Sequence, residues 1–148
     1  RASQYAEKQG IHLLLENMNR EPKDAEVNYL GYTIEECAFY FDNLQSPNLH
    51  WTFTINHATL VPEGINGFLD TFGIERIREV RVADNLGDKE NHMYPGDGSI
   101  DFRAFFSRIE SMGYTGHYTN GFGSLDDMLR GRDYLVAEAK AAGVPSAQ

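Results

Sequence analysis

The sequence predicts a parallel α/β fold in the form of half of a (β/α)8 barrel, and three observations lead there. Strand-like apolar segments alternate four times with helix-like segments, the order from which parallel sheets are built. Each strand-like segment has one apolar face and one face with polar groups. A doubly wound sheet, covered by helices on both sides, favours apolar residues on both faces. A barrel lumen tolerates polar side chains near its open end, and the polar loops here all follow strands, so they gather at one end. The 148 residues supply about half of the roughly 250 that a complete barrel takes.

The elements follow in order. RASQYAEKQG reads as the end of a helix stopped by Gly10. IHLLLEN (11–17) is a short strand with Ile11, Leu13 and Leu15 opposite His12 and Glu16. After a long loop to about Gly31, Thr33 and Glu36 give a capping-box signal for a helix through Leu44. In LHWTFTIN (49–56), Trp51, Phe53 and Ile55 oppose Thr52, Thr54 and Asn56, which predicts a second strand. PEGINGFLDTFG (62–73) is a short helix with Pro62 near its first turn. IREVRVAD (77–84) is a third strand, Val80 and Val82 against Glu79 and Arg81. DFRAFFSRIESMG (101–113) is an amphipathic helix with Asp101 placed to cap it. GHYTNGF (116–122) is a fourth strand, and SLDDMLRGRDYLVAEAKAAG (124–143) a last helix with Ser124 as N-cap. No linker, low-complexity tract or repeat divides the chain, so residues 1–148 are expected to form a single domain. Trp51, Phe53, Phe105, Phe106 and Tyr134 are expected in the core.

Composition narrows the function classes. There are 13 Lys+Arg against 22 Asp+Glu, a net charge of −9. Such a chain repels phosphate backbones, so nucleic acid is not expected as a partner. No run is long and apolar enough for a membrane span. No signal peptide is visible, and the chain begins at Arg1 rather than Met, so its N-terminus is expected to be missing. Cys37, the single cysteine, excludes an internal disulfide and fits the cytoplasm. It is expected to be a buried small hydrophobe rather than a nucleophile.

One loop concentrates chemistry. Between the third strand and its helix, VRVADNLGDKENHMYPGDGSIDF (80–102) carries Asp84, Asn85, Asp88, Glu90, His92 and Asp97. Gly96 and Gly98 permit a tight turn before the helix, and Asp97 belongs to that turn. Asp84 and Asn85 sit at a strand end, where side chains either reach an active site or form an Asx turn. His12 lies early in its strand and is expected to be structural. Asn28, Tyr29 and Tyr32, in the loop after Glu16, either wall a pocket or simply pack.

Four ordered segments, LLLENMNR, NHATLVPEG, EVRVADNLGDKENHMYPGDGSIDF and GYTGHYTNGFG, resemble the C-terminal half of the xylose-isomerase-like TIM barrels. This superfamily contains sugar and sugar-phosphate isomerases and epimerases and the abasic-site endonucleases. The pattern D-N-x-G…E-x-H-x-x-P-G-D-G-x-I-D-F at 84–102 carries most of the likeness. The resemblance implies strands five to eight of the barrel and a divalent metal at the C-terminal strand ends. The usual ligands are a Glu after the fifth strand, an Asp three residues before a His on the sixth, a His on the seventh and a Glu on the eighth. Glu16 matches the first and His57 the His of the sixth-strand motif. Thr54 stands at the Asp position, Arg81 at the seventh-strand His, and Asn120 at the eighth-strand Glu. In the endonuclease branch an acid-x-His pair in the loop joins the sixth-strand His on a further metal, and Glu90 and His92 match that pair.

The resemblance therefore implies a metal, zinc, manganese, magnesium or iron, on His57, Glu90 and His92, with Glu16 as base or ligand. The competing reading leaves Glu90 and His92 as solvated loop residues and His57 as a hydrogen-bonded strand-end histidine. Arg81, pointing into the lumen near Glu16, supplies a fixed cation for an enediolate or a substrate carboxylate or phosphate, or else a structural ion pair. Asn56, Asp84, Asn85 and Asn120 are the expected substrate contacts. The chemistry implied is removal of a proton next to a carbonyl, as in a sugar or sugar-phosphate isomerase or epimerase. A lyase or dehydratase, an abasic-site nuclease and a non-catalytic barrel are the alternatives. A four-strand half exposes two sheet edges, so the chain is expected to pair with another copy or to belong to a longer protein.

Overall fold

The computed structural model describes residues 1–22, 24–121 and 123–145. The chain runs α1 (Ala2–Gln9), β1 (Leu13–Glu16), α2 (Ile34–Asn43), β2 (Leu49–Thr54), α3 (Ile55–Ala58), α4 (Gly64–Phe72), β3 (Ile77–Arg81), α5 (Phe102–Ser111), β4 (His117–Thr119) and α6 (Leu125–Ala141). The four strands form one sheet in the order β1-β2-β3-β4, every pair parallel. This is the α/β arrangement that the alternation of apolar segments predicts.

The strands are shorter than the sequence pattern implied. β1 covers four residues, not seven, and β3 stops at Arg81. β2 stops at Thr54, because Ile55–Ala58 turns into a single helical turn that the alternating pattern concealed. Phe122, read as the end of the fourth strand, lies outside the described residues. Three helices begin where their caps predict, while α4, read from Pro62, begins at Gly64. Thr33 accepts from the Glu36 amide, Asp101 from the Ala104 amide, and Ser124 and Asp127 form a complete capping box. The Glu36 carboxylate accepts instead from the Gly31 and Tyr32 amides and so pins the turn leading into α2.

The apolar face of the sheet packs against α2, α4 and α5. Trp51 and Phe53 are fully buried and stack among Phe41, Phe68 and Phe72. Val80, Phe102, Phe105, Phe106 and Ile109 continue this core. Each such side chain contributes about 1.5–3 kcal/mol on burial. Cys37 is buried in it, and burial, with Glu36 adding, pushes its thiol up to about 12.

On the opposite face the register aligns polar residues. Glu16 pairs with Thr52, and a bulge in β3 after Ile77 brings Glu79 beside Thr52 and Arg81 beside Thr54. Without that bulge Arg78 would stand where Glu79 does. At the N-terminal end of the sheet His50 and His12 make a 2.9 Å ring–ring hydrogen bond, away from the loops that follow the strands.

Candidate active site

The site lies where β1, β2 and β3 end. Glu16, the last residue of β1, is held on both oxygens. Thr54 Oγ1 donates to Oε1 at 2.7 Å and Arg81 Nη1 to Oε2 at 3.0 Å. Arg81 also reaches Glu79 through Nε at 3.3 Å, so one guanidinium lies between two carboxylates. The structure therefore brings together Glu16 and Arg81, the pair that the sequence placed in the lumen.

His57 comes from α3. A fully buried residue unmarked by the sequence pattern, Asn17, sets its position. His57 Nδ1 lies 2.8 Å from the Asn17 carbonyl oxygen. A carbonyl only accepts, so Nδ1 carries the proton and Nε2 presents a lone pair. That Nε2 faces Glu90 Oε2 at 3.5 Å. Burial holds the His57 pKa below its ordinary value, partly offset by the Asn17 carbonyl and by Glu90 and Glu16. The neutral ring, the form that binds metals, is thereby favoured.

The 84–100 loop delivers Glu90 and His92. Asp84 is fully buried, and its two oxygens accept from the backbone N–H groups of Asn85, Gly96, Gly98 and Ile100. A Cβ on Gly98 would collide with Asp84, which is why glycine stands there. Asp84 and Met93 also form a two-residue antiparallel bridge. Between these anchors Glu90 Oε2 accepts from Asn56 Nδ2 at 2.7 Å and Oε1 from the His92 amide at 2.8 Å. His92 has φ 45°, the one positive φ outside glycine among the described residues. Such strain is kept where the surroundings over-determine it, often at functional sites.

One ligand atom each from His57, Glu90 and His92 lie within 4.8 Å of one another. Two imidazoles and a carboxylate suit zinc, manganese or iron. The His57 Nε2 lone pair directed at a carboxylate oxygen is the observation that fits a cation there. By contrast, Glu16 with Thr54, Arg81 and Asn120 does not fit a metal. Arg81 stands 3.0 Å from Glu16 Oε2 with its own positive charge, and Thr54 and Asn120 supply no anionic oxygen.

The remaining candidates divide by burial. Asn56, Asp84 and Asn85 are fully buried. Asn85 donates to the Asn56 carbonyl at 2.7 Å and accepts from Thr59, and Asn56 donates to Glu90. Asn56 Oδ1 is buried without a hydrogen-bond partner among the described residues. Asn120 is turned to α6, where it donates to the Met128 carbonyl at 3.2 Å beside Gly131. Tyr29, Tyr32 and Asn28 line a cavity of 760 Å³ with Arg20 and Pro62, at the starts of α2 and α4.

Comparison with known proteins decides the family. The xylose isomerase-like TIM barrel family matches residues 1–139.

The chain belongs to the xylose isomerase-like TIM-barrel family.

It is 31% identical over 132 residues to an uncharacterised protein of Methanocaldococcus jannaschii, covering 88% of this chain and 43% of that one. It is 28% identical over 120 residues to an L-ribulose 3-epimerase of a Methylomonas species, covering 80% and 38%. A D-tagatose 3-epimerase-like protein superposes with TM-score 0.82 at 25% identity, over 95% of this chain and 51% of that chain. The 3-keto-D-glucoside 4-epimerase of E. coli, at 20% identity and TM-score 0.70, shares the fold. The chain thus spans about two-fifths of the length of these curated relatives. Among the described residues no helix is long and apolar enough to cross a membrane.

Proposed function

We propose that this chain carries the working face of a sugar epimerase or isomerase, with its strands standing as strands five to eight of an eight-strand barrel. The observation that carries the reading is the pairing, at the strand ends, of a fixed carboxylate with the Arg81 guanidinium and with a His57–Glu90–His92 group that would hold a cation. Glu16 is held by Thr54 and Arg81, and His57 Nδ1 lies 3.8 Å from Glu16 Oε1. The names of two relatives, an L-ribulose 3-epimerase and a D-tagatose 3-epimerase-like protein, agree with that chemistry in kind.

In this reading Glu16 takes the proton from the carbon next to the substrate carbonyl. Thr54 and Arg81 fix the carboxylate, so its remaining lone pairs meet the substrate without reorganisation. Arg81, with its side chain 43% exposed, offers its outer N–H groups to the enediolate oxygen. His57, Glu90 and His92 would hold a divalent metal, whose chemistry when bound is to polarise the substrate oxygens. Asn56 and the His92 amide orient Glu90 toward that role. Return of the proton to the other face of the same carbon makes an epimerase, and return to the neighbouring carbon an isomerase.

Arg81 meets Glu16 and Glu79, and Glu90 faces His57. A divalent metal there would balance the remaining negative charge, so free sugars and sugar phosphates are both candidate substrates. A second reading, a barrel without catalysis, is favoured by one observation, the closed Glu16–Arg81 pair. The test is a panel of free and phosphorylated ketoses and aldoses given to the longest available form of the protein and to Glu16→Gln. Turnover of a sugar, free or phosphorylated, that falls by about 10²–10⁴-fold in the variant supports the proposal. Undiminished turnover in Glu16→Gln removes Glu16 as the base, and turnover of no sugar supports the non-catalytic reading.

A further inference from the structure

Asn17 makes more specific contacts than its place at the end of a strand requires. The β1–β2 ladder ends at Glu16 and Thr52, yet Thr54, two residues on, is still extended. The Asn17 side chain replaces the missing strand. Its Oδ1 accepts from the Thr54 amide at 2.9 Å and from Trp51 Nε1 at 3.2 Å, and its Nδ2 donates to the Thr54 carbonyl at 2.9 Å. A carboxamide presents the same donor and acceptor as a peptide unit, so it satisfies both Thr54 groups as a neighbouring strand would. The main chain is then free to leave the sheet, which it does at once, Met18 N–H donating to the Gly31 carbonyl. The carbonyl of Asn17 itself is left to accept from His57 Nδ1.

From this geometry we propose that Asn17 is a positioning residue that fixes both the tautomer and the ring orientation of His57. It acts through its own clamped carbonyl and does not touch substrate. The inference deepens the proposed function, because it rests on His57 as a ligand through Nε2. A histidine ligand is held by what its other nitrogen donates to, and loss of such a partner costs about 10–100-fold in metal affinity. No other side chain fits equally well. Aspartate keeps the two acceptor contacts but loses the donor and buries a charge. Serine is too short to span both Thr54 groups, and alanine makes none of the three contacts.

The test uses protein labelled with ¹⁵N at histidine, studied at a pH where His57 is neutral. Long-range ¹H–¹⁵N spectra report which ring nitrogen bears hydrogen, and zinc titration gives the dissociation constant. The wild-type chain is expected to show His57 as the Nδ1–H form. Asn17→Ala and Asn17→Ser are expected to lose that single tautomer and to bind zinc about 10–100-fold more weakly. Trp51→Phe, which removes one donor to Asn17 but leaves the Thr54 pair, is expected to be less stable with the tautomer unchanged. This separates positioning from general loosening of the fold. The proposal is overturned if wild-type His57 carries its proton on Nε2, a measurement that needs no variant. It is equally overturned if a folded Asn17 variant keeps the wild-type tautomer. Should the wild-type chain bind no zinc while its tautomer follows Asn17, the metal reading falls and the positioning role stands.

Discussion

Single buried polar groups organise this site, and their removal has calculable consequences. The Asp84 carboxylate is fully buried and takes four backbone N–H groups. Asp84→Asn turns an amide N–H₂ toward donors on at least one side, leaving them unpaired at about 1–3 kcal/mol each. We expect a loss of about 2–3 kcal/mol in urea unfolding, and an unchanged midpoint would refute the clamp. His57 gives a second expectation. Burial depresses its pKa in the folded state, and burial with Arg78, His12 and Arg76 does the same for His50. The unfolded chain therefore takes up protons first, and stability falls as the pH drops below the ordinary value of 6.5. Thermal unfolding between pH 7.5 and 5 should show a declining midpoint, with a shallower decline in His57→Asn. A midpoint independent of pH over that range would contradict the burial of both rings as neutral groups.

At the level of elements, the periodic signals were readable because they are local. The strands alternate, the caps sit at fixed offsets, and Gly10 stops α1 with φ 65°. Ser124 was readable as an N-cap, while its reciprocal box with Asp127 came with the structure, and Ser124→Ala is expected to cost about 1 kcal/mol, measurable in chemical unfolding. The single turn α3 was not readable. Ile55 and Asn56 continue the alternation of β2, so nothing local distinguishes a turn of helix from two more strand residues. The site was partly legible for a related reason. The composition of the 84–100 loop drew attention to Glu90 and His92, and the resemblance to the xylose-isomerase-like barrels singled out Glu16, His57 and Arg81. Asn17 looks like any loop asparagine, because its partners lie 34 to 40 residues away in Trp51, Thr54 and His57. Asp84 and Asn85 were expected at the mouth by position, and their burial depends on the loop folding back over them. Such bonds between distant side chains and backbone leave no periodic trace.

For the molecule as a whole, the sheet has two outer strands, β1 and β4, each with one side unpaired among the described residues. Beside β4 a groove of 940 Å³ runs between α5 and α6, lined by Phe106, Tyr118, Leu135 and Val136. Tyr5, Ile11 and Leu14 are exposed near the other edge. Open parallel edges and apolar flanks favour association. The chain expressed by itself is expected to self-associate, and a strictly monomeric mass by light scattering across a hundredfold range of concentration would contradict this. The anchoring of the 84–100 loop has a different kind of consequence. Its base is locked by Asp84 on one side and by the Gly96–Ile100 backbone on the other. The segment from Leu86 to Lys89, ahead of Glu90, can therefore change in composition without disturbing the sheet beneath it. A lineage, or an engineer, can vary what that loop presents above the strand ends while the foundation is inherited unchanged.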